Sequence, residues 1–235
     1  MGTQSMQWCE QTFVCKRSRG NVGVFKPADR EDLMVGDEQY KMVHSFCYLG
    51  DTLNANGGVD LAVTARVRCG WWKFREMAPF LTSKRPSLKM KGRVYAACVR
   101  SCMLYGSETW ALRLDHVTKL ERAEMRMIRW MCGVTLKDRM TSADLRTLVG
   151  VEVLGDVLRR GRLRWYGHVM RMSDDNWVKR STTLEVAGKR PVGRPKKTWA
   201  ELVAADCRLL KLNPGTVNNR EAWRKATIRS SPTRL

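Results

Sequence analysis

The sequence predicts a mainly α-helical protein with a short strand region near its N-terminus and a basic helical unit at its C-terminus. Apolar residues recur at steps of three and four over several long segments after residue 60, which is typical of helices with one buried face. Proline or glycine stands near the ends of several of these segments. Apolar and polar residues alternate over residues 40–53, a short stretch, so we expect little sheet.

The first 38 residues show little periodicity, and we predict an irregular lead-in there. They contain Cys9 and Cys15, whose spacing is wider than that of zinc ligands, which usually come in pairs roughly two to four residues apart. We therefore interpret both as buried or free thiols. Within residues 40–53 the alternation predicts a mostly buried strand that ends at Gly50.

The second predicted region, residues 39–150, contains this strand and the helices that follow it. The first helix begins near Asp60 and stops before Pro79, because proline cannot continue a helix. A second helical segment covers residues 88–110, and a third covers residues 115–132 with Gly133 as its C-cap. A short helix through residue 148 follows, capped by Thr141 or Ser142.

The segment 88–110 carries a basic stripe. Lys89, Arg93 and Arg100 are separated by steps of 4 and 7, which places them on one side of a regular helix. Cys98 and Cys102 also share a side, and we interpret them as core residues rather than metal ligands, since cysteine is among the most buried residue types. The stripe is a candidate surface for phosphate groups.

The third region, residues 151–235, begins with a long helix from about Leu154. One stripe of this helix is apolar: Leu154, Leu158, Trp165, Val169 and Met172. A second stripe contains Arg160, Arg164 and Arg171, with His168 beside it. A row of guanidinium groups suits phosphates, although a solvated charged face is the simpler interpretation of an isolated stripe. Residues 177–187 are ambiguous, and helices are predicted at residues 198–212 and 220–228.

The net charge of +20 at pH 7 favours a polyanionic partner over a small-molecule substrate. Residues 151–235 hold 19 Lys and Arg against 8 Asp and Glu, or +11, and the remaining +9 is spread over residues 1–150. The sequence has no run of 18 apolar residues and no secretory signal, so we expect no membrane partner, an intracellular location in nucleus or cytoplasm, and reduced cysteines. Nucleic acid is the predicted partner.

The sequence offers no catalytic, metal or cofactor site that we recognise. Two-metal chemistry needs carboxylates that converge within a few ångströms. The one Asp-Asp pair, Asp174-Asp175, lies among turn-forming residues without an apolar strand leading into it, which favours a loop or cap. His44, His116 and His168 stand in unrelated contexts. We therefore expect no bound cofactor in this chain.

A basic loop follows the ambiguous stretch. Gly193-Arg194-Pro195-Lys196 is close to the core of an AT-hook, in which Arg lies in the narrow A/T minor groove, but Val192 replaces the usual preceding Arg. General attraction of phosphate is the favoured role for the cations of this loop, and a nuclear-import signal is an alternative. These cations are Lys189, Arg190, Arg194, Lys196 and Lys197.

Several sequence blocks occur in a definite order over roughly residues 40–200. The blocks are Ser45-Phe46-Cys47-Tyr48-Leu49-Gly50-Asp51, Leu81-Thr82-Ser83 before Leu88-Lys89, Arg93-Val94-Tyr95, Cys98-Val99-Arg100-Ser101, Leu104-Tyr105-Gly106-Ser107-Glu108-Thr109-Trp110, Arg162-Leu163-Arg164-Trp165-Tyr166-Gly167-His168-Val169 and Gly193-Arg194-Pro195-Lys196-Lys197-Thr198-Trp199. Taken together and in this order, they resemble the reverse transcriptases of non-LTR (LINE-like) retrotransposons.

The resemblance implies a role for each region. Phe46, Tyr48, Leu49 and Gly50 would lie in the strand that supports the primer end. The helices of residues 60–132 would form a thumb-like bundle that grips template and primer, and residues 159–199 would handle target DNA or element RNA. The cysteines of residues 1–38 would be a decayed remnant of a Cys/His-rich insert.

The resemblance carries no catalytic residue onto this sequence. In the family the palm carboxylates, including an Ala-Asp-Asp turn, precede the Tyr-Leu-Gly strand, and we expect this chain to lack them together with their Mg²⁺. The favoured hypothesis is a nucleic-acid-binding C-terminal fragment of an RNA-directed DNA polymerase that extends no primer by itself. The alternatives are an AT-hook-like architectural protein, in which Arg194→Ala would selectively weaken binding to A/T-rich duplex, and a degenerate element copy without a selected role.

Overall fold

In a computed structural model, residues 45–48, 51–54, 57–184 and 197–228 are described with their side chains, and Arg229 and five short strands between residues 8 and 42 by their backbone. The chain forms two units, Met1–Ala65 and Arg66–Leu235. The boundaries near residues 38 and 150 that we expected from the sequence remain predictions.

The first unit contains short strands. They are β1 (Trp8–Cys9), β2 (Thr12–Cys15), β3 (Gly23–Phe25), β4 (Leu33–Val35), β5 (Glu38–Met42), β6 (Ser45–Tyr48) and β7 (Asp51–Asn54). The first five form a sheet in the order β1-β2-β3-β5-β4, in which β3 and β5 are parallel. Strands β1 to β4 lie where the sequence indicates an irregular segment; each has 2–4 residues, too few for alternation to be recognised.

Strands β6 and β7 form a separate antiparallel hairpin, with Phe46 opposite Leu53 and Tyr48 opposite Asp51. Exposed and half-buried residues alternate along β6, so one side of this strand is partly covered. Phe46 and Tyr48 share that side, with ring centroids 6.4 Å apart. The predicted strand is therefore present as a half-buried hairpin strand rather than a mostly buried one.

The described part of the chain is mainly helical, as predicted. Its α-helices are α1 (Asp60–Glu76), α2 (Ala78–Leu81), α3 (Leu88–Val94), α4 (Ser101–Leu104), α5 (Leu114–Cys132), α6 (Ser142–Val149), α7 (Leu154–Met170), α8 (Trp177–Thr183), α9 (Trp199–Leu209) and α10 (Arg220–Arg229). Short 3₁₀ turns lie at Ser107–Thr109, Leu136–Asp138 and Pro214–Asn218. The ambiguous stretch after residue 176 begins with α8.

Local chemistry sets most helix ends where the sequence predicts them. Gly133 ends α5 in the left-handed region at φ 71° and donates to the last turn, which glycine does without a steric cost. The Thr141 side chain accepts from the backbone N–H of Asp144 and begins α6. Thr198 and Glu201 form a reciprocal capping box at the start of α9.

The predicted continuous helix over residues 88–110 is interrupted. Tyr95–Arg100 forms a π-helical turn between α3 and α4, and α4 ends at Leu104. Tyr105 is extended and Gly106 is left-handed at φ 77°, so the helix cannot continue to Trp110. A π turn adds a residue to the helical repeat, and residues after it rotate away from the stripe that a regular α-helix would give them.

The described residues of the unit Arg66–Leu235 include these two apolar clusters. The first joins α1, the π turn, α5 and α6 through fully buried side chains that include Phe74, Tyr95, Val99, Met127, Ile128 and Leu145, and Val94 of α3 packs against it. The second packs α9, α10 and the Pro214–Asn218 turn around Leu163 of α7, through Val203, Cys207, Val217 and Trp223. The inward residues predicted for α5, including Leu120 and Met131, are buried. Their spacing alone was sufficient to predict them.

Candidate nucleic-acid interface

The basic stripe of α7 is largely engaged within the protein. The guanidinium of Arg160 forms an ion pair with Glu152. Arg171 Nη1 donates to the carbonyl oxygen of Val217 at 2.9 Å. Because the Arg160 pair lies at the surface it contributes little stability, and Arg160 can exchange it for a phosphate at small cost. Arg171 is fixed by a contact between distant segments.

The C-terminal half of the same stripe is covered by α10. Gly167 lies between Arg164 and Arg171 on that side of α7, and a Cβ at Gly167 would stand 2.5 Å from Nε1 of Trp223. Trp223 is buried, and its Nε1 donates to the carbonyl oxygen of Leu163 at 2.9 Å. Only glycine, which has no Cβ, leaves room for α10 to approach α7 so closely. The stripe is therefore partly a helix–helix contact.

Arg164 and His168 remain exposed on α7. Arg164 has no hydrogen-bond or ion-pair partner among the residues that the structure describes. The His168 ring lies 5.4 Å from the Trp165 ring, centroid to centroid, and Trp165 is half-buried. His168 thus packs against the partly buried indole of Trp165 and remains exposed to solvent.

On the other predicted stripe, Lys89 and Arg93 of α3 are exposed, but Arg100 is 5% exposed. Arg100 Nη2 lies 2.8 Å from the Glu124 carboxylate and donates to the carbonyl of Glu152 at 2.7 Å. The π turn rotates Arg100 from the side of Lys89 and Arg93 into the protein. The three residues do not form one surface stripe, which corrects our expectation for Arg100.

The remaining predicted site residues are divided between described and undescribed parts of the chain. Lys197 is exposed immediately before α9, and Phe46 and Tyr48 are half-buried in β6. The other predicted contacts, Leu49, Gly50, Lys189, Arg190, Arg194 and Lys196, lie outside the described residues.

A concentration of positive charge lies between α5 and α6. These two helices border a groove of about 520 Å³. Its lining contains four arginines and a single glutamate: Arg122, Arg126, Arg129, Arg146 and Glu121. We call this site the arginine groove. Thr118, Met125 and Ser142 complete its lining.

Three of these arginines are available to a ligand. Arg122 and Arg126 are exposed, and Arg129 is half-buried. In the described part of the chain, none of the three guanidinium groups has a hydrogen-bond or ion-pair partner. Their steps of 4 and 3 place them on one side of α5, the side opposite to the buried Met127 and Leu120. Among the described residues, therefore, no carboxylate pairs directly with these three guanidinium groups, although Glu121 also lines the groove.

A buried ionic cluster lies beneath the groove. Glu124 is fully buried, and its carboxylate accepts from Arg100 Nε at 2.9 Å. Arg146 Nε lies 3.9 Å from the other oxygen of Glu124, which is too long for a hydrogen bond. Burial raises the pKa of Glu124 despite the nearby guanidiniums. Arg100 is thus the main partner of Glu124, and Arg146 is only loosely held at the edge of the groove.

The sequence contains the signal for this site, but our sequence prediction did not use it. Arg122, Arg126 and Arg129 have the same helical spacing as the predicted stripes. For residues 115–132 we predicted only which side chains are buried, and not a function for the arginines. What periodicity could not show is that Arg146 of α6 lies across from them, because that contact depends on how the two helices pack.

Comparison with known proteins gives one informative similarity. An uncharacterized transposon-derived protein of Caenorhabditis elegans is 25% identical to the chain over 167 residues. The chain thus has a distant relative of transposon origin. The match covers 68% of this chain and 58% of the relative, so the chain spans less than two thirds of that protein's length.

The other comparisons are negative. No family model matches the sequence, and no solved structure matches it. Among the described residues, no helix is both long and apolar enough to cross a membrane.

Proposed function

We propose that the chain binds nucleic acid through the arginine groove, as part of a transposable-element protein related to non-LTR reverse transcriptases. The observation that carries the proposal is the set of three groove arginines without an internal partner. The net charge of +20, the ordered sequence blocks and the transposon-derived relative support it.

The dimensions of the groove suit a phosphate backbone. Arg122 and Arg129 are separated by seven residues of α5, or about 10 Å along the helix axis at ~1.5 Å per residue. One nucleic-acid strand carries a phosphate about every 3.4 Å of duplex axis, so the row covers about three phosphate intervals. Guanidinium groups bind phosphate oxygens with two parallel hydrogen bonds, which favours arginine in this role.

Other predicted cations extend the proposed surface. Lys89, Arg93, Arg164 and Lys197 are exposed and are proposed as further phosphate contacts. We assign no polymerase chemistry to the described residues. Asp174 of the Asp-Asp pair is exposed in a turn and forms an ion pair with Lys179 at 2.7 Å.

The proposal is tested by binding of the chain to a labelled primer–template duplex and to a single strand over a salt series. Nucleic-acid binding releases counterions, so the logarithm of the binding constant should fall linearly with that of the salt concentration. Arg122→Gln with Arg126→Gln should lower affinity and reduce the slope by about one for each lost contact.

A matched control removes the same charge elsewhere. Arg68 and Arg75 are exposed on α1 and lie on one side of it, so Arg68→Gln with Arg75→Gln has the same net charge as the groove variant. A smaller loss in the control supports the groove as the site. Absent or salt-independent binding of the unaltered chain would overturn the proposal, and equal losses in the two variants would show that the groove is not the site.

A further inference from the structure

An exposed tryptophan lies one helical turn beyond Arg126, although it does not itself line the arginine groove. Trp130 follows Arg126 by one helical turn on α5, and residues at this spacing have Cβ atoms about 6 Å apart. Its side chain is 51% exposed, although large apolar residues normally gain stability from burial. The neighbouring cations and the open indole together form a surface with both charge and an aromatic ring.

Two aromatic rings hold the Trp130 side chain in place. The Phe74 ring lies 5.4 Å away, centroid to centroid, and the Trp71 ring 6.4 Å away. Phe74 is fully buried in the first apolar cluster and Trp71 packs against that cluster. Trp130 is therefore supported from the protein side while about half of its surface remains open, so a ligand that stacks on it finds the ring already ordered.

We propose that Trp130 stacks on an unpaired base of single-stranded nucleic acid whose phosphates lie in the arginine groove, an inference that rests on the proposed function. In a duplex the bases already stack on one another, whereas a single strand offers free aromatic faces. Sites for single strands combine a cationic groove with aromatic side chains, because the groove holds the phosphates and any base can stack. Trp130, one helical turn from Arg126, provides the aromatic ring, and the arginine groove provides the cations.

The alternative occupant of an exposed indole is an apolar patch of another protein. Arg126, one turn from the ring, disfavours that occupant, because an apolar partner covering both would have to desolvate its guanidinium without supplying counter-charge. A polyanion supplies the counter-charge directly. The ligand class that fits both the ring and its surroundings is therefore a single strand.

The experiment compares three fluorescently labelled probes with the full chain: a short single strand, its duplex, and the same single strand with abasic spacers in place of its bases. Trp130→Leu should weaken binding of the single strand by about 5- to 150-fold, the usual effect of losing one stacked base. Duplex and abasic probes should change by less than about twofold, because they depend on the phosphate contacts that remain. The salt slope should not change.

Two further variants separate stacking from folding. Trp130→Phe keeps an aromatic ring and should retain most of the affinity for the single strand. Trp72→Leu removes a tryptophan that is 69% exposed on a different side of α1 from Trp71, and it should leave all three affinities unchanged. Thermal unfolding of each variant reports on its fold.

The outcomes distinguish this inference from the proposed function. Salt-dependent binding that responds neither to Trp130→Leu nor to base removal would overturn the stacking inference and leave the proposed function standing. An equal loss on all three probes would also overturn it, since Trp130 would then act through the fold. No binding of any probe to the unaltered chain would overturn the proposed function itself.

Discussion

Replacing Gly167 by alanine should push α10 away from α7. The new methyl would stand 2.5 Å from Nε1 and 2.6 Å from Cδ1 of Trp223, and 3.0 Å from Nη1 of Arg171. The indole cannot retreat easily, because Trp223 is buried and its Nε1 donates to the carbonyl oxygen of Leu163. The substitution therefore acts on the contact that covers the basic stripe of α7.

The expected magnitude follows from three effects of different sign. Alanine is favoured over glycine in a helix by about 0.5–1 kcal/mol. Overpacking of a closed contact costs about 1–3 kcal/mol. Loss of the Trp223 hydrogen bond costs about 1 kcal/mol more. The free energy of unfolding should fall by about 1–3 kcal/mol, because the two costs exceed the helix-propensity gain.

Gly161→Ala is the matched control on the same helix. A Cβ at Gly161 would meet no atom within 4 Å, so only the helix-propensity gain remains and the variant should be stabilised by about 0.5–1 kcal/mol. Urea and thermal unfolding measure both variants, with about 2–4 °C expected per kcal/mol for a domain of this size. Equal stabilisation of the two variants would refute the close contact between α7 and α10.

Three further perturbations test other parts of the fold. The folded-state pKa of Glu124 lies above its ordinary value, so between these two pKa values the folded protein holds a proton that the unfolded chain has released, and the free energy of unfolding should fall as pH rises through this window. Unfolding measured at several pH values should show that Glu124→Gln flattens this part of the stability profile. An unchanged profile would contradict the raised pKa of Glu124. Gly92→Ala would place a methyl 2.1 Å from the carbonyl oxygen of Val149 and should lower the free energy of unfolding in urea by about 3 kcal/mol. A urea midpoint equal to that of the unaltered protein would exclude the close contact between α3 and α6. Thr198→Ala removes the side-chain cap of α9 and should cost about 1 kcal/mol in thermal unfolding; no loss would mean that the cap does not stabilise the unit.

The sequence was sufficient for features that depend on one element at a time. The inward side of α5 follows from helical spacing, the end of α5 follows from Gly133, and the starts of α6 and α9 follow from Thr141 and Thr198. The helix over residues 88–110 was predicted too long, because the sequence does not show that Gly106 adopts the left-handed conformation or that Tyr95–Arg100 forms a π turn.

By itself, the sequence determined that the protein is mainly helical and strongly basic, and that its arginines recur at helical spacing. Only the tertiary structure decided which stripes remain open. Arg171 is engaged by Val217 and Arg100 by Glu124, whereas Arg122 and Arg126 face a groove completed by Arg146. The physical reason is that periodicity fixes the side of a helix on which a charge lies, while the packing of other helices decides whether that side meets protein or solvent.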